Sequence, residues 1–95
     1  MIKVIAKMTI KEGLADELMS SIQELVSETR KETGCIVYQL FADSNNQKVF
    51  TFVEEWDSNE ALAEHLSSKH FKDASAKLAN ILEKDMEISV GTLVI

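Results

Sequence analysis

Proline is absent from the 95-residue chain, and cysteine occurs once, at Cys35. A lone thiol excludes an internal disulfide, and it fits a cytoplasmic protein. No stretch approaches the ~18 consecutive apolar residues of a membrane-spanning helix, so no transmembrane segment is expected. Basic residues are few: 10 Lys and Arg stand against 16 Asp and Glu, for a net charge of −6. They form no cluster, and neutralising phosphates requires clustered cations, so DNA and RNA are poor candidate partners. The opening MIKVIAKMTIKEG alternates and does not read as a signal peptide. Low-complexity runs and linkers are also missing, and the length fits one domain over residues 1–95.

What remains is ordinary globular composition, 45% hydrophobic and 27% charged, compatible with a packed core. IKVIAKMTI alternates, with Ile2, Val4, Ala6, Met8 and Ile10 on one face, so period two predicts a strand. After a turn at Glu12-Gly13, Leu14, Leu18, Ile22, Leu25, Val26 and Thr29 recur at three and four, the pattern of an amphipathic helix. Gly34 suits that helix's C-cap. Cys35–Phe41 and Val49–Trp56 read as two strands of a hairpin around the turn cluster Asp43-Ser44-Asn45-Asn46. A second helix opens with Asp57 and Glu60 in capping-box spacing, with Ser58 as the competing cap. Its apolar phase carries Ala61, Leu62, His65 and Leu66, is interrupted at Ser67-Ser68, and restarts shifted at Phe71, Ala74, Leu78, Ile81 and Leu82. Residues 86–95 alternate again as a fourth strand.

The order β-α-β-β-α-β is the ferredoxin-like α+β unit, an antiparallel sheet with both helices on one face and the second helix in two pieces. Ile5, Thr51 and Val53 fall on the other face, and nothing in the chain remains to cover it. A second copy is the simplest cover, so a homodimer packed sheet against sheet is expected.

EHLSSKHF, residues 64–71, holds both histidines. On one unbroken helix a step of five separates side chains by about 140°, and metal pairs on helices prefer a step of four. The rings converge only if the helix breaks at the serines. A metal would need further ligands, and Glu54 could join only through folding, so no metal is expected. Cys35 has no activating neighbour and is not read as a nucleophile.

Four stretches carry a family resemblance: KEG at 11–13, TRKETGCIVY at 29–38, FVEEW at 52–56 and SNEALAEHLSSKHF at 58–71. The chain resembles the antibiotic biosynthesis monooxygenase superfamily of dimeric α+β barrels, and among its members the small quinol-monooxygenase-like proteins. The resemblance implies an oxygenase that needs no metal or flavin. Such an enzyme deprotonates a quinol, anthrone or related electron-rich aromatic and lets the anion pass an electron to O₂. Haem-degrading members carry Asn, Trp and His where this chain has Ala6, His65 and Ser75, so haem degradation is not implied. Isomerases of the same fold, and a non-catalytic dimeric domain holding a small metabolite, are the alternatives.

Several residues then become candidates. His65 is either a buried histidine bonded to a carboxylate or carbonyl, or the general base, for which an ordinary imidazole is well matched at neutral pH. Glu54 shares a strand face with Phe50, Phe52 and Trp56. An ionised carboxylate is rarely buried alone, so Glu54 lies at the sheet's open edge or pairs with His65 or a helix N-terminus. Either role would let it orient or polarise the reacting centre. Trp56 could stack on a flat substrate or serve as core with a partner for its N–H. Phe52, Phe71, Ala6, His70 and Tyr38 are the remaining candidate wall residues, Tyr38 doubling as core or dimer contact.

Overall fold

The alternating first segment forms strand β1, Ile2–Thr9, in the computed structural model, which describes residues 1–95. Helix α1 spans Ala15–Thr29, strands β2 and β3 span Cys35–Ala42 and Val49–Trp56, and strand β4 spans Glu87–Thr92. Between β3 and β4 lie two helices, α2 (Asn59–Ser67) and α3 (Lys69–Leu78). The sheet runs β2-β3-β1-β4 and every pairing is antiparallel. This is the ferredoxin-like α+β order expected from the pattern.

Register places the core. Across the sheet Tyr38, Glu54, Val4 and Val90 form one row, and Leu40, Phe52, Ala6 and Ile88 the next. Both rows face the helices, where Leu18, Ile22 and Leu25 of α1 and Ala74 and Leu78 of α3 join Ile2, Val4, Ala6 and Met8 in one buried cluster. On the opposite face Ile5, Thr51 and Val53 are half-buried, and Phe41 is 53% exposed.

Some local expectations shift. Ser58, not Asp57, caps α2: its hydroxyl accepts from the Ala61 N–H at 3.1 Å. Gly34 is not the cap of α1, which ends at Thr29 with Arg30 as its C-cap. The fourth strand stops at Thr92 because its only partner is β1, whose Ile2 pairs with Thr92. Beyond that point the chain has only the Leu93 N–H bond to the Met1 carbonyl at 3.1 Å.

The helix break comes from one residue. Ser68 is extended (φ −69°, ψ 155°) and is at once the C-cap of α2 and the N-cap of α3. Its hydroxyl donates to the His65 carbonyl at 2.7 Å and accepts from the Phe71 N–H at 3.2 Å. Both orphaned helix ends are thus satisfied by the same side chain.

Gly34 has φ +89°, and a Cβ there would sit 2.6 Å from both Ala61 Cβ and Asp57 Oδ1, at the start of α2. Gly13, at φ +80°, has nothing within 4 Å of such a Cβ. Gly13→Ala should therefore cost only the left-handed penalty, about 1–2 kcal/mol. Gly34→Ala should cost clearly more, because α2 must also move off β2. Urea midpoints of the two variants measure the difference, and equal losses would contradict the close approach.

Candidate active site in the cavity under the second helix

A cavity of about 130 Å³ lies between the sheet and α2 and α3. Of its 16 lining residues, 13 are hydrophobic. Val4, Ala6, Phe52 and Tyr38 form its floor, Leu62, Phe71 and Leu78 its roof, and Ile88 and Val90 of β4 its outer side. Into this apolar wall are set Glu54, His65 and Ser75. Larger hollows of about 560 and 360 Å³ lie against α1 and β2, but they are open and are lined by no carboxylate or imidazole.

His65 is 1% exposed although it sits near the end of a short helix. Its ring lies 4.7 Å from that of Trp56, 5.1 Å from Phe71 and 5.5 Å from Tyr38. These three aromatics fix its plane. Its Nδ1 stands 2.8 Å from Glu32 Oε2. A carboxylate only accepts, so Nδ1 carries the proton and Nε2 is left with its lone pair. Burial pushes the His65 pKa below the ordinary histidine value, and the hydrogen bond and charge of Glu32 oppose this only in part. The ring is therefore neutral at neutral pH, oriented at one nitrogen and free to accept at the other. This is the logic by which a carboxylate holds a catalytic imidazole in the useful tautomer.

Glu32 was not foreseen from the sequence. It sits in the loop after α1, 33 residues before His65, and the same Oε2 also meets His70 Nε2 at 2.8 Å. The pairing joins loop to helix across a long separation, which periodicity does not report. Its only sequence trace is its place in TRKETGC.

Glu54 occupies none of the three positions expected for it, and no helix N-terminus bonds it. It lies on an inner strand and does not pair with His65; its Oε1 accepts from Trp56 Nε1 at 3.0 Å. Two residues apart on one strand face, the two side chains lie close enough to satisfy each other. Trp56, fully buried, is spent on that bond and on packing against His65, and it lines no part of the cavity. His70 is likewise outside the cavity wall, its ring turned to Glu32. Phe52, Phe71, Ala6 and Tyr38 do line it. The Tyr38 phenol is pushed far above its ordinary value, first by burial and then by the charge of Glu54.

Burial also raises the Glu54 pKa, and the Trp56 hydrogen bond offsets only part of this. The sign follows directly. The folded state holds the Glu54 proton to higher pH than the unfolded chain does, so stability falls as pH rises from the ordinary glutamate range through the raised value. Glu54→Gln keeps an acceptor for Trp56 and removes the charge. We expect it to be more stable than wild type by roughly 1 kcal/mol at pH 8, with no gain below pH 4. Thermal melts at the two pH values check this, and a variant that is less stable at pH 8 would refute it.

Comparison with known proteins gives the family and the fold. Residues 1–77 match the antibiotic biosynthesis monooxygenase family. A solved antibiotic biosynthesis monooxygenase superposes with a TM-score of 0.93 at 33% identity, covering 100% of both chains. A conserved protein from Methanosarcina mazei Go1 does so with a TM-score of 0.92 at 36% identity, covering 95% of this chain and 89% of that one. Among curated relatives, the Synechocystis protein sll1783 is 28% identical over 94% of this chain, which spans only 60% of that relative's length. With the family match covering most of its length, the chain belongs to the antibiotic biosynthesis monooxygenase family.

Proposed function

We propose that the protein is a cofactor-independent monooxygenase that oxidises a quinol, anthrone or related electron-rich aromatic with O₂. The observation that carries this reading is a buried imidazole, aligned by Glu32, in the wall of a largely apolar cavity that also holds Glu54. In the proposed course, His65 Nε2 takes the acidic proton of the substrate. The resulting anion passes one electron to O₂, and the radical pair joins to form a C–O bond. The protonated His65 returns its proton to the peroxide. Loss of the remaining C–H proton and cleavage of O–O then give the carbonyl and one water, so both oxygen atoms are accounted for. Apolar walls favour this because they leave the anion poorly solvated and easily oxidised. Glu54 faces the same cavity and would polarise the ring, while Phe52, Phe71, Ala6 and Tyr38 would hold it.

Size ranks the substrates. An engineered apolar cavity of ~150 Å³ accepts benzene, so about 130 Å³ favours one-ring quinols over three-ring anthrones. The half-buried sheet face with Ile5, Thr51 and Val53 supports a homodimer packed through it.

The test is oxygen uptake by chelator-treated protein across hydroquinones and anthrones of increasing size. Uptake with quinone formation supports the reading, and none on any member removes it. Thermal stabilisation by an aromatic that is never consumed would point to a binding domain instead.

A further inference from the structure

Two imidazoles from different helices converge on one carboxylate oxygen. Glu32 Oε2 is 2.8 Å from His65 Nδ1, on α2, and 2.8 Å from His70 Nε2, on α3. All three donor atoms lie within 4.8 Å of one another. The five-residue spacing that would splay the rings on a straight helix is cancelled by the break at Ser68.

Two imidazole nitrogens and a carboxylate oxygen are the donor set of zinc-type ions with one position left open. Bond lengths of about 2.0–2.1 Å at tetrahedral angles would require donors about 3.3 Å apart, so the hydrogen-bonded contacts must widen by roughly half an ångström. His70 and Glu32 can supply that movement, since their side chains are 18% and 16% exposed. His65 cannot, being held between aromatic rings. The partly exposed members also leave a route from solvent.

We infer that Glu32, His65 and His70 form a binding site for a divalent zinc-type ion, and that occupancy switches off the base in the cavity. The second clause rests on the proposed function; the first does not. The switch follows from tautomers. A metal on Nδ1 takes the lone pair there, and a neutral ring must then carry its proton on Nε2. The nitrogen free to accept a substrate proton becomes a donor. His65 does not have to change its net charge; its proton moves from one ring nitrogen to the other.

The test uses the full chain, stripped with a chelator and titrated with ZnCl₂ by calorimetry and with CoCl₂ by visible absorption. One ion per chain is expected, with the intense visible bands of tetrahedral cobalt. Loss of an outer-shell partner alone weakens metal sites by about 10–100-fold, so His70→Ala and Glu32→Gln should each weaken binding by at least about 100-fold. Circular dichroism confirms that each variant is folded, and His70→Gln provides a milder substitution. Absence of binding by folded wild type, or equal binding by wild type and His70→Ala, overturns the site. Binding without inhibition of an active protein overturns the switch alone. Binding by a protein that oxidises nothing leaves the site standing and removes the oxygenase reading.

Discussion

Replacing His65 by alanine is expected to reduce aromatic-dependent oxygen uptake by about 10²–10⁴-fold, the usual contribution of a positioned general base. The fall should lie in kcat, because the cavity floor of Ala6, Phe52 and Tyr38 is untouched. His65→Gln keeps more of the packing among Trp56, Phe71 and Tyr38 and should lose a similar factor, which separates chemistry from collapse. Wild-type kcat/KM should fall on the acid side with an apparent value below that of an ordinary histidine. Burial depresses the His65 pKa, and only the neutral ring accepts a proton. Initial rates from pH 5 to 9, with chelator present, measure both effects. Equal rates for wild type and His65→Gln would remove His65 from the mechanism.

Trp56→Ala should give the largest loss of stability. Trp56 is fully buried, packs on His65 and donates the one hydrogen bond that Glu54 receives. Emptying such a site costs about 3–5 kcal/mol, against a total of about 5–15 kcal/mol for a typical domain. Trp56→Phe refills most of the volume but leaves a buried carboxylate unpartnered, which costs about 1–3 kcal/mol. Adding Glu54→Gln to Trp56→Phe should recover part of that loss, because the orphaned charge is gone. Urea unfolding of the three variants and wild type, followed by circular dichroism, gives the losses. A Trp56→Ala loss under about 1 kcal/mol would contradict the packing described for this residue.

The architecture was legible because it depends on near neighbours in sequence. Alternation in IKVIAKMTI and VFTFVEEW, and the three-four spacing from Leu18 to Leu25, give β1, β3 and α1 directly. The phase slip at Ser67-Ser68 marks the division between α2 and α3. The site was less legible because its bonds are long-range. The face shared by Glu54 and Trp56 was visible, but not that they satisfy each other. His65 was a candidate from its apolar phase, yet its orienting partner is Glu32, a loop residue with no periodic signature. The C-cap assigned to Gly34 failed for a similar reason: its left-handed backbone serves the approach of Asp57 and Ala61, which a linear reading does not show.

The shared cap at Ser68 sets a rule for how this chain can change length. A residue added to or removed from the segment between His65 and His70 would turn α3 by about 100° relative to α2. His70 would then swing away from Glu32, and Phe71 from the cavity roof. Substitutions at Leu66, Ser67 or Lys69 are local events, whereas a single insertion would rewrite the whole site. The count of residues from 65 to 70 is therefore fixed more tightly than the identity of most of them.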